Sequence, residues 1–67
     1  MNIMMKIPEL IRKRRRFLKL TQAQLAERAE ISLRSLKSIE NGVGNPTLRQ
    51  MAKILDILGM NLTVELK

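Results

Sequence analysis

The 67-residue sequence predicts a mainly α domain: a bundle of four to five short helices plus one C-terminal β-strand that pairs across a dimer. Three observations predict it. Apolar residues recur at helical spacing in four segments, each opened by a proline or a capping residue. The break between the second and third segments is only a few residues long. Residues 60–67 drop the helical period and alternate apolar with polar side chains, as a half-buried strand does.

The first helix is expected over residues 8–18. Pro8 suits a first turn, where its missing N–H costs nothing. Ile7, Leu10, Ile11 and Leu18 fall on one face, with Arg12, Lys13, Arg15 and Arg16 on the other. Thr21 opens the second helix, with Gln24 at capping-box spacing. Leu25, Ala26 and Ala29 form its inner stripe. Glu30, Ile31 and Ser32 make a short break, and Ser32 caps a third helix running to about Asn41. Leu36 and Ile39 point inward there. Asn41-Gly42 ends that helix and Asn45-Pro46 continues the loop. Thr47 and Gln50 repeat the capping box and start a fourth helix. Its main stripe is Leu48, Met51, Ala52, Leu55 and Leu58, with Ile54 and Ile57 as a second apolar edge, and Gly59 ends it. Residues 1–67 form a single domain, in which 1–6 are an extension and 60–67 the dimerisation strand.

Composition narrows the function. Lys and Arg number 13 and Asp and Glu 6, so the net charge is 13 − 6 = +7. Such a balance favours nucleic acid, then a membrane surface, then an acidic protein as partner. Cys and His are both absent, which removes disulfides, the usual zinc ligands, and imidazole or thiol catalysis. No cofactor, no metal and no enzymatic activity are expected. No apolar run is long enough to span a bilayer, and residues 1–6 lack a signal peptide's apolar core, so a cytoplasmic location is expected.

The second and third helices carry the more specific signal. Ala26 allows two helices to cross closely, Leu25, Ala29, Ile31, Leu36 and Ile39 supply the shared core, and Leu33, Arg34, Lys37 and Ser38 face away from it. That is the pattern of a helix-turn-helix, whose second helix enters a DNA major groove. The segments Leu20-Thr21-Gln22-Ala23-Gln24-Leu25-Ala26, Ser32, Ile39-Glu40-Asn41-Gly42 and Asn45-Pro46-Thr47-Leu48 resemble the XRE family, the lambda-repressor-like helix-turn-helix regulators of bacteria and phages. The resemblance covers residues 10–58. Residues 55–64 are similar to a sub-branch that contains HipB-type antitoxins, in which a C-terminal strand follows the last helix.

The resemblance implies roles for individual residues. Leu33, Arg34, Lys37 and Ser38 occupy the family's base-reading face. Arg34 or Lys37 can reach guanine O6 and N7, and Leu33 a thymine methyl. Thr21, Gln22, Ser32, Asn41, Asn45 and Thr47 are expected along the phosphate backbone, three of them hydroxyl caps at helix N-termini. Arg15 and Glu40 match a buried ion pair that joins the first helix to the recognition helix. Two positions depart from the family's pattern. Glu30 and Lys19 stand where glycine is usual, and a left-handed backbone there strains any other residue.

The run Arg12, Lys13, Arg14, Arg15 and Arg16 spreads around the helix cylinder. It reads as a solvated face, a phosphate-steering element or a contact for an acidic partner. A lone strand needs a partner for its backbone groups. A second copy is the simplest one, so a homodimer interface is expected at Ile54, Ile57, Met60, Leu62, Val64 and Leu66. The expected function is a sequence-specific repressor that binds an inverted repeat of double-stranded DNA as a homodimer. The HipB likeness adds an antitoxin role with a HipA-like kinase as partner. The alternatives are a phage-type or host XRE regulator with no toxin, and a protein-interaction module that has lost DNA binding.

Overall fold

A computed structural model describes residues 6–63. Four helices follow one another: α1 (Ile7–Phe17), α2 (Gln22–Arg28), α3 (Leu33–Glu40) and α4 (Leu48–Ile57). The starts are set as the local sequence dictates. Thr21 and Thr47 each accept from the backbone N–H three residues on, while the side chains of Gln24 and Gln50 accept from the Thr21 and Thr47 N–H groups in return. Ser32 caps α3 through the Ser35 N–H.

All four helices end in the same way. The residue after each C-cap is left-handed, and paired 5→2 and 6→1 backbone hydrogen bonds close the end in a Schellman motif. The pairs are Lys19 N to Arg16 O with Leu20 N to Arg15 O, Glu30 N to Glu27 O with Ile31 N to Ala26 O, Gly42 N to Ile39 O with Val43 N to Ser38 O, and Gly59 N to Asp56 O with Met60 N to Leu55 O. Leu20, Ile31 and Met60 then tuck against the core. Two of the four left-handed positions are glycine. The others are Lys19 (φ 59°) and Glu30 (φ 58°), so both departures from the family pattern sit where glycine would be relaxed. The left-handed conformation costs a non-glycine residue about 1–2 kcal/mol, partly offset by glycine's larger entropy loss. Glu30 also lies 3.8 Å from Lys53, an exposed pair of small value. Glu30→Gly is therefore expected to be neutral or to raise the melting temperature, by up to about 4–8 °C for a gain of about 1 kcal/mol. Clear destabilisation in a thermal melt would show that this turn does not hold Glu30 under strain.

The core is Ile11, Leu25, Ala26, Ala29, Leu36, Ile39, Met51, Ile54, Leu55 and Leu58. It forms where α2 packs on α3 and α4, and α1 on α3. Several expected positions differ. Leu10 and Leu18 are exposed, because the inward slot one turn after Ile11 is taken by Arg15. Leu48 and Ala52 are exposed as well, since α4 turns Met51, Ile54, Leu55 and Leu58 to the core. Ile54, expected at a dimer interface, has no exposed surface in the single chain and belongs to this core instead. Among the described residues there is no strand: residues 60–63 form no ladder, and Val64 and Leu66 lie outside the described residues.

Candidate nucleic-acid interface

The four residues expected to read bases lie side by side on α3. At about 100° per residue, Leu33, Lys37, Arg34 and Ser38 sweep an arc of about 140°, opposite the buried Leu36 and Ile39. Leu33, Arg34 and Lys37 are exposed, and Ser38 is half-buried. Among the described residues neither Arg34 nor Lys37 has a carboxylate within ion-pair reach.

What holds this arc in place is a buried ionic network. Arg15 Nε donates to Glu40 Oε2 at 2.7 Å and its Nη2 to Oε1 at 3.0 Å, a two-point contact. The Arg15 Nη1 donates to the Leu20 carbonyl at 3.0 Å. Glu40 is fully buried and Arg15 nearly so. The pair ties the last turn of α3 to α1, as the resemblance implied.

Gln22 also enters this network: its Nε2 donates to Glu40 Oε1 at 3.2 Å. The Gln22 side chain is thereby anchored to the last turn of α3.

The basic run has a structural role that its sequence does not reveal. Arg12 donates to the Glu40 carbonyl, at the C-terminus of α3. Arg14 Nε donates to the Leu58 carbonyl at 2.8 Å, at the end of α4. Helix ends leave carbonyls without partners and carry partial negative charge, so an arginine there satisfies both. Lys13 lies 3.7 Å from Glu9 one turn away. With Arg15 paired to Glu40, three of the run's arginines fasten α1 to the ends of other elements.

The residues expected along phosphates occupy several places. Thr21 and Thr47 are exposed caps at the N-termini of α2 and α4. Asn41 is the exposed C-cap of α3. Asn45 shares a polar cleft of about 240 Å³ with Arg34, Ser38 and Gln50, between α3 and the loop before α4. Base-reading and phosphate-binding candidates therefore meet there. Ser32 is the exception to a simple phosphate role, because its hydroxyl proton goes to Ser35 Oγ at 2.8 Å. The places of Ser35 and Gln50 in this cleft, and of Arg12 and Arg14 at the helix ends, were not expected from the sequence. The capping-box spacing pointed to Gln50, whereas the two arginines act over long sequence separations that no local pattern marks.

Comparison with known proteins agrees with this geometry. A family model described as helix-turn-helix matches residues 11–64, most of the chain. The chain belongs to the XRE-type helix-turn-helix family. Its helix-turn-helix is α2, the turn through Ser32, and α3. The chain is also 41% identical over 58 residues to the cryptic phage CTXphi transcriptional repressor RstR of Vibrio cholerae serotype O1. The match covers 87% of this chain and 52% of that repressor, so the chain spans about half the length of its relative. No helix among the described residues is long and apolar enough to cross a membrane.

Proposed function

We propose that this helix-turn-helix chain is a transcriptional repressor that binds an inverted-repeat operator as a homodimer. The observation that carries the reading is the arc of Leu33, Arg34, Lys37 and Ser38, unpaired among the described residues and fixed by the Arg15–Glu40 pair. Side chains so placed can reach base edges in a major groove, while Thr21, Gln22, Asn41, Asn45 and Thr47 set the register along phosphates, Ser32 having given its hydroxyl proton to Ser35. The likeness to a phage transcriptional repressor favours a regulator without a toxin over the antitoxin role, with its HipA-like kinase, that residues 55–64 suggest. A protein-interaction module that has lost DNA binding is disfavoured by the two cations of α3, Arg34 and Lys37, that have no ion-pair partner among the described residues.

Dimerisation is assigned to residues 60–66, paired as an antiparallel ribbon across a two-fold axis, with Ile57 beside them. Two copies of α3 would then enter successive major grooves about 34 Å apart. The single domain of residues 1–67 is half of the working unit. A mobility-shift titration tests DNA binding: the full chain should retard duplex DNA, with affinity falling steeply as salt rises. Retention of free DNA mobility at low salt would refute it. A chain ending at Gly59 should sediment as a monomer and bind DNA at least tenfold more weakly. A dimer of unchanged stability in that variant would remove the strand from the interface.

A further inference from the structure

α1 carries a second apolar face that the core does not use. Leu10 is 51% exposed and Phe17 72%. They stand two turns apart, about 10 Å along the helix. With Lys13, Arg14 and Met60 they line a shallow groove of about 340 Å³. The two cations of this groove are already engaged. Arg14 donates to the Leu58 carbonyl, and its guanidinium carbon lies 5.0 Å from the centre of the Phe17 ring. Lys13 is paired with Glu9. An acidic ligand would have to break these contacts, whereas an apolar one meets Leu10, Phe17 and Met60 directly.

The same chain carries apolar side chains that its described core leaves out. Met60 is the last described residue to line the groove, and Leu62 beyond it is outside the lining and 41% exposed. Val64 and Leu66 continue the same alternating side. Any extended five-residue segment spans about 13 Å, close to the length of the Leu10–Phe17 floor.

We propose that the groove formed by Leu10, Phe17 and Met60 receives Leu62, Val64 and Leu66 of a second copy of this chain. The exchange is reciprocal, as a two-fold interface requires: each copy gives one segment and receives one. The groove thereby becomes the seat of the dimerisation ribbon, and each strand bridges its own α4 to the partner's α1. The inference rests on the homodimer reading above and adds where the strand lies.

The chain has no cysteine, so introduced thiols report alone. The full-length double variant Leu10→Cys, Leu66→Cys is oxidised under native conditions, separated without reductant, and its linked peptides are mapped by mass. Positions 10 and 66 joined between two chains are the expected result. The same positions joined within one chain would show that the chain's own segment fills the groove, and would overturn the proposal. A protein that sediments as a dimer but gives only 66–66 links, or none, would overturn the groove and leave the homodimer standing. A parent chain that sediments as a monomer would overturn both. As a second readout, Phe17→Ser should raise the dimer dissociation constant at least tenfold while the helical signal still melts cooperatively; an unchanged constant would contradict the proposal.

Discussion

Glu40→Gln is expected to lower the melting temperature by at least about 12 °C. The substitution keeps the shape of the side chain and removes its charge. Arg15 Nε and Nη2, now 2.7 and 3.0 Å from the two carboxylate oxygens, would face a neutral amide that offers donors of its own on one side. Removing one partner of a buried ion pair costs about 3–5 kcal/mol, because the other charge stays buried and unmatched. A domain of this length has roughly 3–10 kcal/mol of total stability. Each kcal/mol moves the melting temperature of so small a domain by about 4–8 °C. DNA affinity should fall with it, since Glu40 anchors the last turn of α3. The double variant Arg15→Met, Glu40→Met separates the two effects. Replacing both charges with apolar groups is often close to neutral, so this variant should recover most of the lost stability and regain DNA binding. A single variant that melts like the parent would show that the pair contributes nothing to the position of α3.

Arg34→Ala should weaken binding to the preferred operator by about 5- to 150-fold, the 1–3 kcal/mol carried by a good two-point contact to guanine. The side chain is exposed, so the melting temperature should stay within about a degree or two of the parent. The decisive feature is specificity. Loss of a base contact relaxes the preference at one position of each half-site and leaves non-specific binding nearly intact. Loss of a phosphate contact weakens all sequences alike and lowers the salt slope by about one per contact. Arg34 is expected to follow the first pattern. A uniform loss across sequences would move it to the phosphate set, and the reading of bases would then rest on Lys37, Ser38 and Leu33.

Helix starts were the most legible part of the fold, because the Thr21–Gln24 and Thr47–Gln50 boxes are local and complete within one turn. The strained turn positions were legible too: Lys19 and Glu30 stand where the family carries glycine, and both are left-handed. The facing of α4 was not. Its apolar residues cover so wide an arc that spacing alone admits Leu48 and Ala52 as readily as Ile54, and the packing of α2 against α4 decides. The arginine run escaped for a related reason. Arg12 and Arg14 reach carbonyls at Glu40 and Leu58, 28 and 44 residues away, and an acceptor on the backbone leaves no signature in the sequence. A good part of the +7 that first suggested nucleic acid therefore fastens α1 to its neighbours. On the proposed function, steering toward DNA falls to the charges left outside these contacts, Arg34 and Lys37 among them, and selectivity to the α3 arc.

The most direct test of the central claim is selection of bound duplexes from a random DNA pool by the full-length chain. An enriched inverted repeat is predicted, with half-site centres about 10–10.5 base pairs apart and bound in proportion to its match. Enrichment of no sequence, with salt-sensitive binding to every duplex alike, would mean that the protein holds DNA by charge alone and that α3 reads nothing.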